Sequence, residues 1–334
     1  MEIDVLGPPY EAETLDLGRD DEGPVVATLV RRRAEGGSRR AVLYVHGYID
    51  YFFQTHLADF FVAQGWDFYA LDLRKYGRSL RGYQTPNFCR DVTDYYPELD
   101  RAARLVRDRD GHDTLLVNAH STGGLITALW AHDRRAAGLV DGLLLNSPFF
   151  DFNAPWFVRR PLAAAVGGVG RGWPYRLVPL GLPSVYGQSV HRNRYGEWDY
   201  DLAWKPLGGF GVRTGWLHAI RRAQRRLRAG LAISAPVLLA CSASSLRCTR
   251  WREEARSCDT VLDVAHMVRW GPMLGPHVTI ARFAGGLHDL TLSPEPVRRR
   301  VLDEFARWAT AYVAGPAGAA AAPTPRPATP AAPG

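Results

Sequence analysis

The sequence predicts an α/β fold, with a mostly parallel central sheet, helices on its flanks and an inserted lid. Three observations predict it. Short apolar runs recur along the 334 residues without clear alternation, as strands buried on both faces require. Helix-compatible stretches separate these runs, and strand–helix repetition is the signature of a parallel sheet covered on both sides. The repetition then breaks over 149–215, a span too long for a simple connection.

In chain order, residues 1–20 read as polar and irregular, with one or two edge strands beyond them around 24–30. Strands are expected at 41–45, 68–73, 114–119, 142–146, 236–242 and 278–283. Helices are expected near 52–64, 93–108, 122–135, 216–230, 263–274 and 295–313. The core is therefore assigned to 1–148 and 216–313. The interruption, 149–215, is dense in rings such as Trp156, Phe157, Trp173, Tyr186, Trp198, Tyr200 and Trp204, and it reads as the lid. The segment 314–334 is alanine and proline with almost no charge, and it reads as a disordered tail.

A hydrophobic content of 46% with 22% charged residues is globular, and the length supports a sizeable core. The net charge of +7 comes almost wholly from arginine, since Lys75 and Lys205 are the only lysines. Nucleic acid is not expected as a partner, because the arginines are scattered. The clusters at 221–228 and 298–300 read as solvated helix faces, which leaves transient contact with an anionic membrane surface open. Cys89, Cys241, Cys248 and Cys258 have no metal-binding spacing. An acidic start and no apolar run of membrane-spanning length point to a cytoplasmic protein with reduced thiols.

The chemistry centres on His120-Ser121-Thr122-Gly123-Gly124, where an apolar run ends at a serine and a helix-compatible stretch follows. A serine lifted on a tight strand-to-helix turn needs small residues two places before and after it, here Ala119 and Gly123. A serine nucleophile needs a base, and the base needs a group that holds its tautomer. His288 follows the last expected strand in a glycine-rich loop. The acid belongs after the strand at 236–242, where Asp259 and Asp263 compete. Asp259 is favoured because Asp263 is placed to cap the following helix. Glu253 and Glu254 are outsiders. An oxyanion would need two backbone N–H donors, expected from Thr122 and from Tyr48 after the His46-Gly47 turn.

With these residues in view, the chain resembles the α/β-hydrolase fold. More narrowly, it resembles the branch of monoacylglycerol lipases, lysophospholipases and serine aminopeptidases (S33). The landmarks are His46-Gly47, Asp72-Leu73-Arg74-Lys75-Tyr76-Gly77-Arg78-Ser79, the Ser121 turn and Gly286-Leu287-His288. Ala119 and Lys75 stand where that branch usually has glycine, and Val264 where it has proline. The resemblance implies a Ser121–Asp259–His288 triad, an acyl-enzyme on Ser121, and neither cofactor nor metal. The expected activity is hydrolysis of a small-molecule ester with a lipid-like or other apolar acyl group. The same groups would serve a peptidase, thioesterase or acyltransferase, and a non-catalytic binding protein on this fold is the remaining alternative.

Overall fold

A computed structural model describes residues 1–153, 170, 172–179 and 183–314. The aromatic residues Trp156 and Phe157 of the expected lid and the tail from 315 onward lie outside them. Nine strands of the described residues form one sheet. They are β1 (Glu2–Ile3), β2 (Glu11–Asp20), β3 (Gly23–Arg32), β4 (Arg40–Val45), β5 (Asp67–Asp72), β6 (Thr114–His120), β7 (Gly142–Asn146), β8 (Val237–Ser242) and β9 (Val278–Phe283). Their spatial order is β1-β2-β3-β5-β4-β6-β7-β8-β9. The pairs β1–β2, β2–β3 and β3–β5 are antiparallel, and every pair from β5–β4 to β8–β9 is parallel.

The helices of the described residues are α1 (Thr55–Ala63), α2 (Tyr96–Arg104), α3 (Thr122–Asp133), α4 (Val185–Val190), α5 (Thr214–Arg228), α6 (Val264–Trp270) and α7 (Glu295–Ala309). Successive side chains of a strand point to opposite faces, and here both faces are buried. Leu43, Val117, Leu145 and Leu239 pack with Leu99 of α2, Leu125 and Trp130 of α3, Ile220 of α5 and Met267 of α6. Val42, Tyr44, Leu116, Leu144 and Leu238 pack on the other side with Phe61 of α1 and with Val301 and Phe305 of α7. This explains why the strand sequences lack alternation.

Two expectations need correction. Residues 1–20 are not irregular, because Glu11–Asp20 is a ten-residue strand that β3 pairs along most of its length. Its sequence hides this, because only Leu15 on it is fully buried and the rest reads as polar. The first helix begins at Thr55 rather than 52, since Phe52 and Phe53 are buried in the turn before it. Arg222, Arg225 and Arg226 of α5 lie exposed, as a solvated face requires, and several arginines of this helix also find partners. Arg221 lies 4.3 Å over Phe152, while Arg222, Arg226 and Arg228 pair with Asp91, Asp133 and Asp151 at 2.8, 2.8 and 2.6 Å. These pairings tie α5 to its neighbours.

Candidate active site

Ser121 sits between β6 and α3 with φ 51° and ψ −114°, a conformation that costs a non-glycine residue energy and holds its side chain clear of both elements. The backbone around it is clamped. Its N–H donates to Asn146 O (2.9 Å), and its carbonyl accepts from Phe149 N (3.0 Å). Gly123 is a packing requirement: a Cβ there would stand 2.7 Å from Val45 O and closer still to His46 O. Gly47 is held similarly, since its Cβ would lie 3.0 Å from both His120 Nδ1 and Ser121 Cβ. The ends of β4 and β6 therefore meet at the serine.

Ser121, His288 and Asp259 form one row of hydrogen bonds. Ser121 Oγ is 2.9 Å from His288 Nε2, and His288 Nδ1 is 2.9 Å from Asp259 Oδ2. The other oxygen of Asp259 accepts the N–H groups of Val261 and Leu262, both at 2.8 Å. This carboxylate is fully buried, so those bonds fix its orientation. With Asp259 accepting at Nδ1, the Nδ1–H tautomer leaves Nε2 free to accept the serine proton. The long polar stretch before Asp259 returns to its starting point. Asp259 N donates to Ser244 O, and Leu246 N donates to Asp259 O, which places the aspartate just past the end of β8. Asp263 lies outside the row and caps α6, accepting from Ala265 N at 3.0 Å. Glu253 and Glu254 lie exposed on a short 3₁₀ turn.

The turn after β4 is built from below. His46 Nε2 accepts from Leu73 N (3.0 Å), so its Nδ1–H donates to Gly47 O (2.8 Å), and burial pushes the imidazole pKa down and keeps it neutral. Asp72 accepts from Phe52 N (2.9 Å) and from Arg78 (2.9 Å), and Arg78 also holds Asp4 through two bonds at 2.6 and 2.7 Å. Gly77 makes this approach feasible, since a Cβ there would meet Tyr51 Cβ at 2.5 Å and Asp72 Oδ2 at 2.6 Å. The Asp72–Ser79 landmark thus braces the loop carrying Tyr48. The Tyr48 ring stacks on Trp216, with centroids 4.0 Å apart. Thr122 is the first residue of α3, where backbone N–H groups lack helical partners.

A second polar cluster, unassigned in the sequence, lies behind the serine. Asp50 accepts from Lys205 Nζ (2.5 Å) and lies 3.2 Å from His120 Nδ1. Asp289 accepts from Asn146 Nδ2 (2.7 Å) and from Thr291 Oγ1 (2.7 Å). Burial alone would raise the Asp50 carboxyl pKa, yet the Lys205 ammonium and His120 together hold it well below the usual range. Asp50, His120 and Asp289 bring one ligand-type atom each within 4.8 Å of one another, a set a metal ion could use. The observed partners already engage the two carboxylates: Lys205 holds one oxygen of Asp50, Gly47 N–H and His120 lie against the other, and side-chain donors hold Asp289. The one signal for this cluster in the sequence was Lys205, a rare lysine among 41 basic residues. Two surface clefts sharing Arg90 and Pro174 are lined by none of these residues.

The sheet order, the serine between β6 and α3 and the histidine after β9 define the class: this is an α/β-hydrolase fold. The chain belongs to the serine aminopeptidase S33 family of hydrolases, whose model matches residues 36–246, more than half its length. No curated protein matches it significantly. Among solved structures it is similar to a soluble variant of monoglyceride lipase from Saccharomyces cerevisiae bound to a substrate analog. That pair has 16% identity and a TM-score of 0.67, covering 91% of this chain and 98% of that one. It is also similar to the monoacylglycerol lipase of Paleococcus ferrophilus (19% identity, TM-score 0.60, 89% and 98% covered). A thermophilic esterase from Thermogutta terrifontis follows the same fold (15% identity, TM-score 0.56, 89% and 97% covered). No helix of the described residues is long and apolar enough to cross a membrane.

Proposed function

We propose that this protein hydrolyses carboxylic esters with apolar, lipid-like acyl groups through an acyl-enzyme on Ser121. The observation that carries the reading is the continuous row Asp259–His288–Ser121, with the serine raised on a strained turn. His288 Nε2 takes the proton from Ser121 Oγ as the oxygen attacks the ester carbonyl. Asp259 holds the imidazole through Nδ1–H and stabilises the imidazolium that forms. The Tyr48 and Thr122 N–H groups receive the oxyanion, and the N-terminus of α3 adds its dipole. The tetrahedral adduct collapses, the alcohol leaves with the His288 proton, and the acyl group stays on Ser121. Water then attacks the acyl carbon and gives a proton to His288. The acid is released and Ser121 regains its hydrogen.

Three supports bear on the substrate. Two of the similar solved structures are monoglyceride or monoacylglycerol lipases. Rings crowd the site: Tyr186 stands edge-on to His288 at 5.4 Å, and Trp216 stacks on Tyr48. Aromatic surface of this kind buries acyl chains at little entropic cost. We assign the lid role to 149–215; within it Tyr186 faces His288 and Lys205 contacts Asp50. The test is hydrolysis of p-nitrophenyl esters from acetate to palmitate by wild type and Ser121→Ala. Ser121-dependent turnover rising toward longer acyl chains is expected, and turnover that survives Ser121→Ala overturns the mechanism. Faster turnover of matched amides or thioesters would move the assignment to a peptidase or thioesterase.

A further inference from the structure

Of 41 basic side chains only two are lysines, and Lys205 is one of them. It is 5% exposed and lies in the segment between α4 and α5. Its ammonium contacts Asp50 Oδ1 at 2.5 Å and faces the rings of Phe53, Tyr200 and Tyr186 at 5.1, 5.4 and 5.9 Å. The box suits a compact point charge better than the wide planar fork of arginine, which an otherwise arginine-rich chain would supply by default. A carboxylate and three ring faces engage this cation, so it is not presented to a substrate.

Asp50 carries the effect further. Its second oxygen lies 3.4 Å from the N–H of Gly47 and 3.2 Å from His120 Nδ1. Gly47 precedes Tyr48, the proposed oxyanion donor. His120 precedes Ser121, and its ring centroid is 4.9 Å from that of His288. One buried carboxylate thus joins three parts of the site: the segment carrying Lys205, the turn after β4 and the residue before the nucleophile. The same segment is docked at other points as well. Asp201 N donates to Tyr51 Oη at 2.7 Å, and Trp198 Nε1 donates to Leu292 O at 2.8 Å. A carboxylate buried this deeply and stripped of its cation would take up a proton or draw in water. Either response shifts both the amide turn and His120.

We propose that Lys205 is a positioning residue: acting through Asp50, it holds the Gly47–Tyr48 turn and His120 in the arrangement in which Ser121 reacts. The proposal rests on the serine-hydrolase reading above. It makes docking of the segment between α4 and α5 a condition for a reactive serine.

The experiment compares wild type, Lys205→Met, Asp50→Asn and the double variant. A fluorophosphonate probe first counts reactive serines, and kcat and KM for a p-nitrophenyl ester are expressed per counted site. Lys205→Met is expected to slow both labelling and kcat, by about 100-fold if the turn moves by an ångström, with KM nearly unchanged. In the Asp50→Asn background the same lysine change should cost little more, because the carboxylate through which it acts is gone. The double variant should therefore label at about the rate of Asp50→Asn alone. Three results overturn the proposal: an unchanged kcat per counted site with fewer sites, a rise in KM alone, or fully additive losses. They would mean, in turn, a purely structural role, direct substrate contact, or action independent of Asp50. Failure of the probe to label wild type would remove the serine-hydrolase reading and this inference with it. A labelled wild type matched by an equally fast Lys205→Met removes the inference alone.

Discussion

Gly123 lies against His46 so closely that a Cβ on it would overlap the His46 carbonyl oxygen. The contact closes the space between the turn after β4 and the start of α3, and it sets the separation of the two proposed oxyanion donors. Gly123→Ala must push these backbones apart. Overpacking of this kind typically costs about 1–3 kcal/mol. Denaturant unfolding should show a loss in this range, and esterase activity should fall further than stability alone explains. Ala119→Gly should keep the site intact and cost about 1–2 kcal/mol, from glycine's freedom inside a strand and the loss of a buried methyl.

Asp259 and Asp263 should separate cleanly. Asp259→Asn leaves a side chain that can donate toward His288 Nδ1 and favour the wrong tautomer, with an expected fall in kcat of roughly 10⁴-fold. Asp263→Ala removes the α6 cap, so about 1 kcal/mol of stability should be lost while kcat per folded site stays unchanged. Steady-state kinetics beside thermal melts reads both. Comparable losses of kcat at the two positions would contradict the assignment of Asp259.

Ser121→Ala and His288→Ala should each reduce kcat by roughly 10⁶-fold, and combining them should cost little more, as expected for groups acting as a unit. Multiplicative losses would show that they act separately. The readout is single-turnover hydrolysis at high enzyme concentration.

Stability should fall in mild acid, and His56 contributes to the fall. Burial pushes its pKa down to about 4, while His56 Nε2 donates to Thr291 O at 2.8 Å and its ring packs on Trp198. An unfolded histidine titrates near 6.5, at about the ordinary value. The unfolded chain therefore binds this proton first as pH drops. The stabilising term is intact above pH 6.5 and is lost progressively toward pH 4. His46, also pushed down by burial, adds in the same direction. The depressed carboxyls of Asp50 and Asp289 act later, since their contribution holds above the ordinary carboxylate range and disappears below it. Urea midpoints between pH 7.5 and 5 should decline, and His56→Gln, which keeps a donor but cannot ionise, should flatten part of that slope.

Arg78→Met should be among the most damaging changes remote from the serine. It would strand Asp72 and Asp4, which are 0% and 5% exposed and depend on this guanidinium. Breaking a buried pair from one side typically costs 3–5 kcal/mol, about a third or more of a domain's stability. Replacing Asp4 as well should restore part of the loss, because one buried charge then no longer lacks a partner.

The apolar runs determined the parallel strands, since only burial on both faces explains so many consecutive apolar residues. The spacing of small residues around Ser121 determined the turn, because a tight strand-to-helix corner tolerates little else there. Periodicity could not find β2, whose polar side chains leave Leu15 as its one deeply buried residue and whose identity comes from its hydrogen bonds to β3. Helix capping already favoured Asp259 over Asp263, but the contact of Asp259 with His288 comes from a loop that leaves at Ser244, returns at Asp259 and turns that carboxylate toward the imidazole. The least legible part was the cluster of Asp50, His120, Lys205 and Asp289. These residues span 240 positions and share no motif. Only packing brings them together, because a charge excluded from water must find its partner wherever in the chain that partner lies.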